Sequence, residues 1–445
     1  MMNNIILKTI GCRLNQTETE AMASAFKDAG FSVSNHAKTD NVCLVFFNTC
    51  TVTSKAEQKA RRLIRNSLKE FPKSVVIVTG CYAELAAGEI EAIDKRIICF
   101  SGKNKDILVN LPAEIREIQN YENTDENIKQ LISLIKQFKN KTEKTKNMKF
   151  KLATDKFFFH SRAGLKIQDG CNNACTFCRV HIARGKSISL PFNTVIERAK
   201  KIEANGIKEI VLTGVNLFQY QSESINFAKL LKMLLDSTEN IGFRISSIYP
   251  ETITDEFLEV IKSKRIRPHF HLSIQSGSPR ILKLMHRPHD IKQIEKSIQK
   301  LQKAKDLPFL GCDIITGFPT ETQEDFQLTL RFCKKNHFTG IHAFSFSPRP
   351  DTPACLITPK VPERIAGNRV KELNSLARKQ YNEYLEKYNG RIVSGIIETK
   401  RKTAQTKILT ENYLLLPLKT PEKTDYKQGE EIKIKITNGY AIPEL

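Results

Sequence analysis

No apolar run in this 445-residue sequence approaches the ~18 residues that a helix needs to span a bilayer. Met1–Ile10 is too short, and too soon broken by Gly11, to be a secretory signal. Both absences point to the cytoplasm and away from a membrane. A disulfide framework is not expected there, so the 11 cysteines require another explanation. Acidic side chains are also scarce. There are 48 Asp and Glu against 70 Lys and Arg, a formal net charge of +22. That excess favours a polyanionic partner, most often nucleic acid, although a lysine-biased composition produces the same number. No tandem repeat is visible. Hydrophobic residues at 40% and charged residues at 27% describe a globular chain. At roughly 100–200 residues per domain, its length suggests about two to four domains.

The fold class reads as α/β, in three stretches of different periodicity. In residues 1–118, strands are predicted at Asn3–Ile10, Val42–Asn48, Ser74–Thr79 and Arg96–Phe100. Helices are predicted between them at Asn15–Ala29, Ser54–Glu70 and Glu84–Ile93. Such alternation predicts a parallel sheet. Residues 119–156 are charged and polar. They hold one predicted helix, Glu126–Lys139, then the run KNKTEKTKNMK, and read as a linker or insertion. Residues 157–388 repeat the alternation six times, with strands predicted at Gly164–Gln168, Glu209–Thr213, Phe243–Ser246, His269–Ile274, Leu310–Ile315 and Ile341–Phe346. Six β/α units fit a partial barrel, closed here by a long helical stretch, Pro362–Tyr388. Residues 389–445 lose the helical period. Short alternating runs at Arg391–Glu398, Lys407–Thr410, Tyr413–Pro417 and Glu431–Thr437 suit a small all-β barrel, a shape often used for oligonucleotides.

The strongest chemical signal is GCNNACTFC, Gly170–Cys178, which spaces Cys171, Cys175 and Cys178 as CxxxCxxC. Three thiolates on one loop can hold three irons of a four-iron cluster and leave the fourth iron open. A zinc site completed by His181 uses the same thiols. The loop follows the first strand of the six-unit segment, on the face where β/α barrels keep their active sites. A second set is spread along the chain. Cys12 in IGCRLNQTE, Cys50 in FNTCTVT and Cys81 in VTGCYAE each follow a predicted strand. Carboxyl ends of parallel strands converge on one edge, where such folds bind ligands. The three cysteines are therefore expected to be neighbours, although 38 and 31 residues separate them. A second three-cysteine iron–sulfur cluster is the better reading of them.

Other residues carry weaker signals. Cys43, Cys99 and Cys312 lie in apolar strand contexts and read as small core residues. Cys333 is placed on a helix and Cys355 in a loop. His269 and His271 alternate on a strand and read as packed or hydrogen-bonded side chains rather than ligands. Arg184, in IARG, either braces the cluster loop or meets a cofactor carboxylate. Lys55, Lys59 and Arg62 share one helix face at i, i+4 and i+7. That face is either simply solvated or touches anticodon-loop phosphates. The last segment has ten Lys and Arg against seven Asp and Glu, too small an excess to argue RNA binding from charge.

CxxxCxxC at this position resembles the radical S-adenosylmethionine superfamily, whose open iron chelates S-adenosylmethionine and whose reduced cluster splits it to a 5′-deoxyadenosyl radical. The resemblance implies cofactor contacts. Phe177 is implied beside the adenine and Thr213-Gly214 at the methionine amino group. Ser273 and Gln275 in HLSIQSGS, with Asp313 and Gly317 in DIITGFPTET, resemble the ribose and adenine contacts. Two three-cysteine sets in this order resemble the methylthiotransferase family over nearly the whole chain, with its N-terminal domain, radical core and C-terminal TRAM domain. This implies two 4Fe-4S clusters, S-adenosylmethionine, a tRNA anticodon loop as partner, a reducing electron donor, a sulfur source and a monomeric enzyme. No side chain need act as a general acid or base.

Within the family, GCRLNQTETE, NTCTVTSKAEQKARRLIR, RISSIYPE and FSPRPDTPA resemble the MtaB branch, which methylthiolates C2 of N6-threonylcarbamoyladenosine at position 37 of tRNA. The MiaB branch, acting on isopentenyl-adenosine, reads GCxMN with NTCxVR. The RimO branch, acting on an aspartate of a ribosomal protein, reads GCxKNxVD. A non-catalytic iron–sulfur RNA-binding protein is a third class. A threonylcarbamoyl carboxylate needs a cation or several donors, and Arg13, Lys55 and Arg349 stand beside the motifs named. Three motifs depart from the family pattern. Val180-His181 replaces Ile-Pro, and Thr320 and Asp351 replace glycines, which restricts the backbone at those turns.

Overall fold

Strands buried on both faces organise the first part of the chain. The computed structural model describes residues 4–36, 41–116, 124–142, 149–398, 405–419 and 426–444. Part of the polar run expected after the Glu126–Lys139 helix, residues 143–148, lies outside them. The first elements are β1 (Asn4–Thr9), α1 (Arg13–Asp28), β2 (Ser32–Ser34), β3 (Val42–Thr49), α2 (Ser54–Glu70), β4 (Val75–Gly80), α3 (Cys81–Glu91), β5 (Ile97–Cys99) and α4 (Asp125–Thr142). The strands pair in the order β2-β1-β3-β4-β5, every pair parallel. Every residue of β3 and β4 is buried, because helices cover both faces. Alternate residues feed separate cores. Ile5, Leu7 and Phe46 join one with Phe26, whereas Ile6, Val45 and Phe47 join the other with Ile64. Helix α4 buries Leu131, Ile135 and Phe138 in the first of these cores. The stretch read as a linker or insertion thus includes packed structure.

Residues 1–159, 169–172 and 179–186 form one compact unit, and residues 160–168, 173–178 and 187–445 a second. Helix α5 (Val180–Arg184) belongs to the first. The second unit contains β6 (Ala163–Lys166), α6 (Phe192–Ala204), β7 (Glu209–Thr213), α7 (Phe227–Ser237), β8 (Gly242–Ile245), β9 (Ser247–Ile248), α8 (Asp255–Ile261), β10 (His269–Gln275), α9 (Pro279–Leu284), α10 (Ile291–Ala304), β11 (Phe309–Thr316), α11 (Gln323–Lys335), β12 (Gly340–Ser345) and α12 (Glu363–Lys387). The ladders among β6 to β12 are parallel, and a small antiparallel hairpin, Gln221–Ser222 with Ile225–Asn226, lies between α6 and α7. The third predicted strand is broken at Ser246: β8 pairs with β7, and β9 pairs with β10. One strand therefore serves two half-sheets, β6-β7-β8 and β9-β10-β11-β12. That is the expected partial barrel of six β/α units.

The chain ends in an antiparallel sheet of β13 (Ile392–Ile397), β14 (Lys407–Thr410), β15 (Leu415–Pro417), β16 (Glu431–Thr437) and β17 (Tyr440–Pro443), in the order β15-β14-β13-β16-β17. A bridge between Leu418 and Ala441 brings its two edges together, so the sheet nearly closes on itself. Strand β17 was not expected. It follows a two-residue Asn438-Gly439 turn with both φ positive, the hairpin signal that an Asn-Gly pair carries. Among the described residues, no helix is long and apolar enough to cross a membrane. Thr320 and Asp351 have φ of 68° and 64°, so both hold the left-handed conformation that a glycine takes without strain.

A buried carboxylate joins this sheet to the barrel. Glu209 opens β7 and meets Arg244 at 2.7 Å, Arg267 at 3.1 Å and Arg162 at 3.4 Å. Arg162 and Arg267 continue to Glu398 and Glu431, and the Arg244 guanidinium lies over the Tyr413 ring. Burial pushes the Glu209 pKa up, but Arg244, then Arg162 and Arg267, outweigh it and hold the group at about 2, below its ordinary 4.5. A carboxyl depressed in the folded chain contributes stability that is full above its unfolded pKa and is lost as pH falls toward the folded value. We expect Glu209→Gln to cost about 3–5 kcal/mol at pH 7, because three guanidinium groups lose their shared partner. The difference from wild type should shrink as pH falls from about 4.5 toward about 2, as read by denaturant unfolding at a series of pH values.

Candidate functional site

Three turns at the carboxyl edge of the first sheet bring Cys12, Cys50 and Cys81 together. Cys12 caps the start of α1, Cys50 follows β3 directly, and Cys81 opens α3. Close backbone approach fixes the turns. A Cβ on Gly11 would stand 2.6 Å from Cys50 Cβ, and one on Gly80 would stand 2.3 Å from the Thr49 carbonyl oxygen. Both glycines have positive φ. Cys50 is buried and Cys12 exposed. Burial, and after it neighbouring Cys12 and Cys81, push the Cys50 thiol up to about 12, as expected of thiols near enough to repel as anions.

Beneath them Asn15, fully buried, donates to the carbonyls of Ile10 and Thr49, both at 3.0 Å, and so ties the first turn to the second. Its side-chain oxygen accepts from Arg184 Nη2 at 2.8 Å. Arg184 Nη1 meets Asp169 at 2.9 Å and Glu18 at 3.4 Å. Burial works against this cation, but Asp169, then Cys81, Glu18 and Cys12, keep its pKa well above the ordinary value. The side chain read as a loop brace or a cofactor contact is thus engaged within the first unit, near Cys12 and Cys81.

The CxxxCxxC loop is held at several points. Cys171 N–H donates to the Gly185 carbonyl at 3.0 Å. In the second unit, Thr176 N–H and Oγ1 donate to the carbonyls of Met285 and Leu284, and Ala354 N–H donates to the Thr176 carbonyl. Buried Arg287 donates to Cys175 Sγ at 3.4 Å and also to the Ser273 carbonyl. Sequence reading missed Arg287, which stands apart from the loop in the chain. Phe177 packs near Phe318 and Phe346. His181, weighed as a zinc ligand, lies on α5.

The remaining predicted contacts stand at or near strand ends. Thr213 ends β7, and Gly214 passes so close to Gln168 that a Cβ would come within 2.9 Å of Oε1. Gln275 ends β10, with Ser273 two residues before it. Gly317 follows β11 with φ of 68°, and its N–H donates to Glu321 at 2.6 Å. Asp313 lies within β11, where it accepts from His271 Nε2 at 2.9 Å and faces His342 Nδ1 at 3.5 Å. This His–Asp–His cluster was not foreseen as a unit, because it appears only when three strands are set in register. Among the predicted RNA contacts, Lys55, Lys59 and Arg62 are exposed on α2, opposite buried Ala60 and Ile64. Arg13 bonds Gln16 at 3.2 Å, and Arg349 is buried. Cys43, Cys99, Cys312 and Cys333 are buried as small core residues.

Known proteins share these features. Residues 165–333 match the radical SAM superfamily, and residues 4–102 match the uncharacterized protein family UPF0004. A solved radical S-adenosylmethionine methyltransferase, TsrM from Kitasatospora setae, has the same fold at a TM-score of 0.55 and 13% identity, over 80% of this chain and 75% of its own. The barrel and its cysteine loop are those of a radical S-adenosylmethionine protein. Threonylcarbamoyladenosine tRNA methylthiotransferase MtaB of Treponema pallidum is 42% identical over 99% of this chain and 100% of its own length. The Bacillus subtilis protein of that name is 34% identical over 100% and 96%. A tRNA-2-methylthio-N(6)-dimethylallyladenosine synthase of Endomicrobium trichonymphae is 31% identical over 90% and 92%. The chain belongs to the radical S-adenosylmethionine methylthiotransferase family, in its MtaB-like branch.

The burial pattern sets an order of thiol reactivity. In protein stripped of metal, a water-soluble maleimide at pH 8 should label exposed Cys12 well before Cys50, Cys43 or Cys99, whose thiols burial pushes up to about 12. Peptide mass spectrometry over a time course reads the order.

Proposed function

We propose that this chain methylthiolates C2 of N6-threonylcarbamoyladenosine at position 37 of tRNA. The observation that carries the reading is full-length likeness to proteins named for that substrate, at 42% and 34% identity. The isopentenyl-type relative shares less, 31%.

The donor sets fit the groups that the family implies. Soft thiolate ligands select iron–sulfur clusters or zinc. Cys171, Cys175 and Cys178 would hold one 4Fe-4S cluster, and Cys12, Cys50 and Cys81 a second. Bound there with S-adenosylmethionine, they supply the radical and the methylthio group for a C–H bond that has no acidic proton and no leaving group. The chain's own residues do the rest. Arg287 donates to Cys175 Sγ, a contact that stabilises negative charge on sulfur. Arg184 offers a permanent cation near Cys12 and Cys81. Thr213, Gly214, Ser273, Gln275, Gly317 and Phe177 lie at or near the strand ends where a nucleoside cofactor would be held. Lys55, Lys59 and Arg62 present an exposed cationic face suited to RNA phosphates. The reaction also needs a low-potential electron donor and a sulfur source from outside the chain.

Anaerobic reconstitution should load about eight irons per chain. The variant with Cys171, Cys175 and Cys178 all changed to Ala should hold about half of that and lose S-adenosylmethionine cleavage. Cleavage that survives in this variant would remove the radical reading. For the substrate, tRNA nucleosides from a strain lacking this protein should show unmodified C2 on N6-threonylcarbamoyladenosine, restored by complementation. Restoration of a methylthio group on isopentenyl-adenosine instead would reassign the branch.

A further inference from the structure

The resemblance implies Asp313 as a cofactor contact, and the structure sets it between two histidines, His271 and His342, that no contact above uses. The three side chains come from adjacent parallel strands, β10, β11 and β12. Asp313 pairs directly with His342 in the ladder, and His271 pairs with Gly311. Gly311 is required there, since a Cβ would stand 2.6 Å from His271 Nδ1. The His271 ring thus lies across a bare backbone position and reaches Asp313 at 2.9 Å. Exposure rises along the row: the side chains are 10%, 25% and 63% accessible for His271, Asp313 and His342.

His342 has an exposed neighbour on the same face. Side chains alternate along a strand, so His342 and Phe344 share one face of β12, while Ile341 is buried on the other. Helix α12 packs on β12. Phe344 is 47% exposed, unusual for a ring of that size. A two-residue step separates the ring from the imidazole, about 7 Å. Across the row, Ser273 stands two residues beyond His271 in β10, where the ladder register shifts. Its carbonyl accepts from Arg287, which also reaches Cys175 Sγ. The row therefore lies close to the cysteine loop.

An exposed aromatic ring and an exposed imidazole one strand step apart match a base with a charged tail. Every base can stack on such a ring. The N6 substituent of threonylcarbamoyladenosine ends in a carboxylate, which needs a donor on removal from water. We infer that His342, oriented by Asp313 and backed by His271, receives the carboxylate of the N6 substituent, with Phe344 beneath the adenine. This rests on the proposed function and names the residue that distinguishes its substrate from isopentenyl-adenosine. The Asp313 carboxylate raises the His342 pKa above the ordinary value, which favours the cationic form. Asp313 itself is held well below the carboxylate range: burial opposes this, and His271 and then His342 outweigh it. Arg13, Lys55 and Arg349 are the carboxylate partners that the sequence suggests. Of these, Arg349 is buried and Arg13 bonds Gln16.

The test compares reconstituted full-length enzyme on two tRNAs, one carrying threonylcarbamoyladenosine at position 37 and the same tRNA with that carboxylate converted to its methyl ester. For wild type, esterification should lower kcat/KM at least tenfold, mainly through KM. For His342→Ala the same change should matter less than twofold. Should that variant fail to fold, judged by circular dichroism and bound iron, His342→Gln carries the comparison. Equal sensitivity to the ester in wild type and variant overturns the inference. So does a wild type indifferent to the ester that still prefers threonylcarbamoyl over isopentenyl tRNA, a result that leaves the proposed function standing. One Mn(II) or Zn(II) per chain beyond the cluster iron, lost in His342→Ala, also overturns it, because the cluster would then be a metal site. Wild-type preference for isopentenyl tRNA removes the proposed function, and the inference with it.

Discussion

The carboxyl edge of the first sheet gathers negative charge, and a buried guanidinium makes that arrangement tenable. Glu18 and Asp169 lie beside Arg184, and three thiols stand near enough to interact with it or with one another. The buried members, Glu18, Asp169 and Cys50 among them, would be costly to ionise alone. Two helix starts add to the same end. Cys12 caps α1 and Cys81 opens α3, so unpaired N–H groups and the positive ends of two helix dipoles lie at these thiols. A thiolate at a helix start is favoured over one in bulk apolar surroundings. The same residues that shape the turns thus also set their electrostatics: Asn15 holds two carbonyls in place and presents its oxygen to Arg184.

The second unit solves the opposite problem with the opposite sign. At the start of β7, one carboxylate pairs with three arginines, and two of those arginines extend to acids of the last sheet. Satisfied networks of this kind rigidify because each member orients the next. The amino end of the barrel is therefore closed by charge pairing and the Tyr413 ring, while the cysteine loop follows the carboxyl end of the first strand and the cluster around Asp313 lies midway along its strands.

The sequence showed the strand–turn–cysteine pattern because each part is local. Strand periodicity, a glycine and a cysteine occur within a few residues of one another at Cys12 and Cys81. It showed the six barrel strands for the same reason. What it concealed depends on register or on distance along the chain. Strand β2 has three residues, too few for a period to register. The join between His271, Asp313 and His342 needs three strands aligned, and Gly311 gains meaning only when His271 lies over it. Arg184 had two readings because its partners Glu18 and Asn15 are far away in sequence. Strand β17 is signalled only by its Asn-Gly turn, because its four residues are too few to show a period. Thr320 and Asp351 hold the left-handed backbone that a glycine takes without strain, a feature that no local sequence period announces.

Near-closure of the last sheet bears on how the chain avoids its own kind. An open antiparallel sheet ends in rows of unpaired N–H and C=O groups, which template strand addition by other chains. Here the outermost strands have three and four residues, and the Leu418–Ala441 bridge draws those two sides together. What remains is too short and too curved to recruit a foreign strand. A segment rich in β-branched residues thereby offers other chains only short edges.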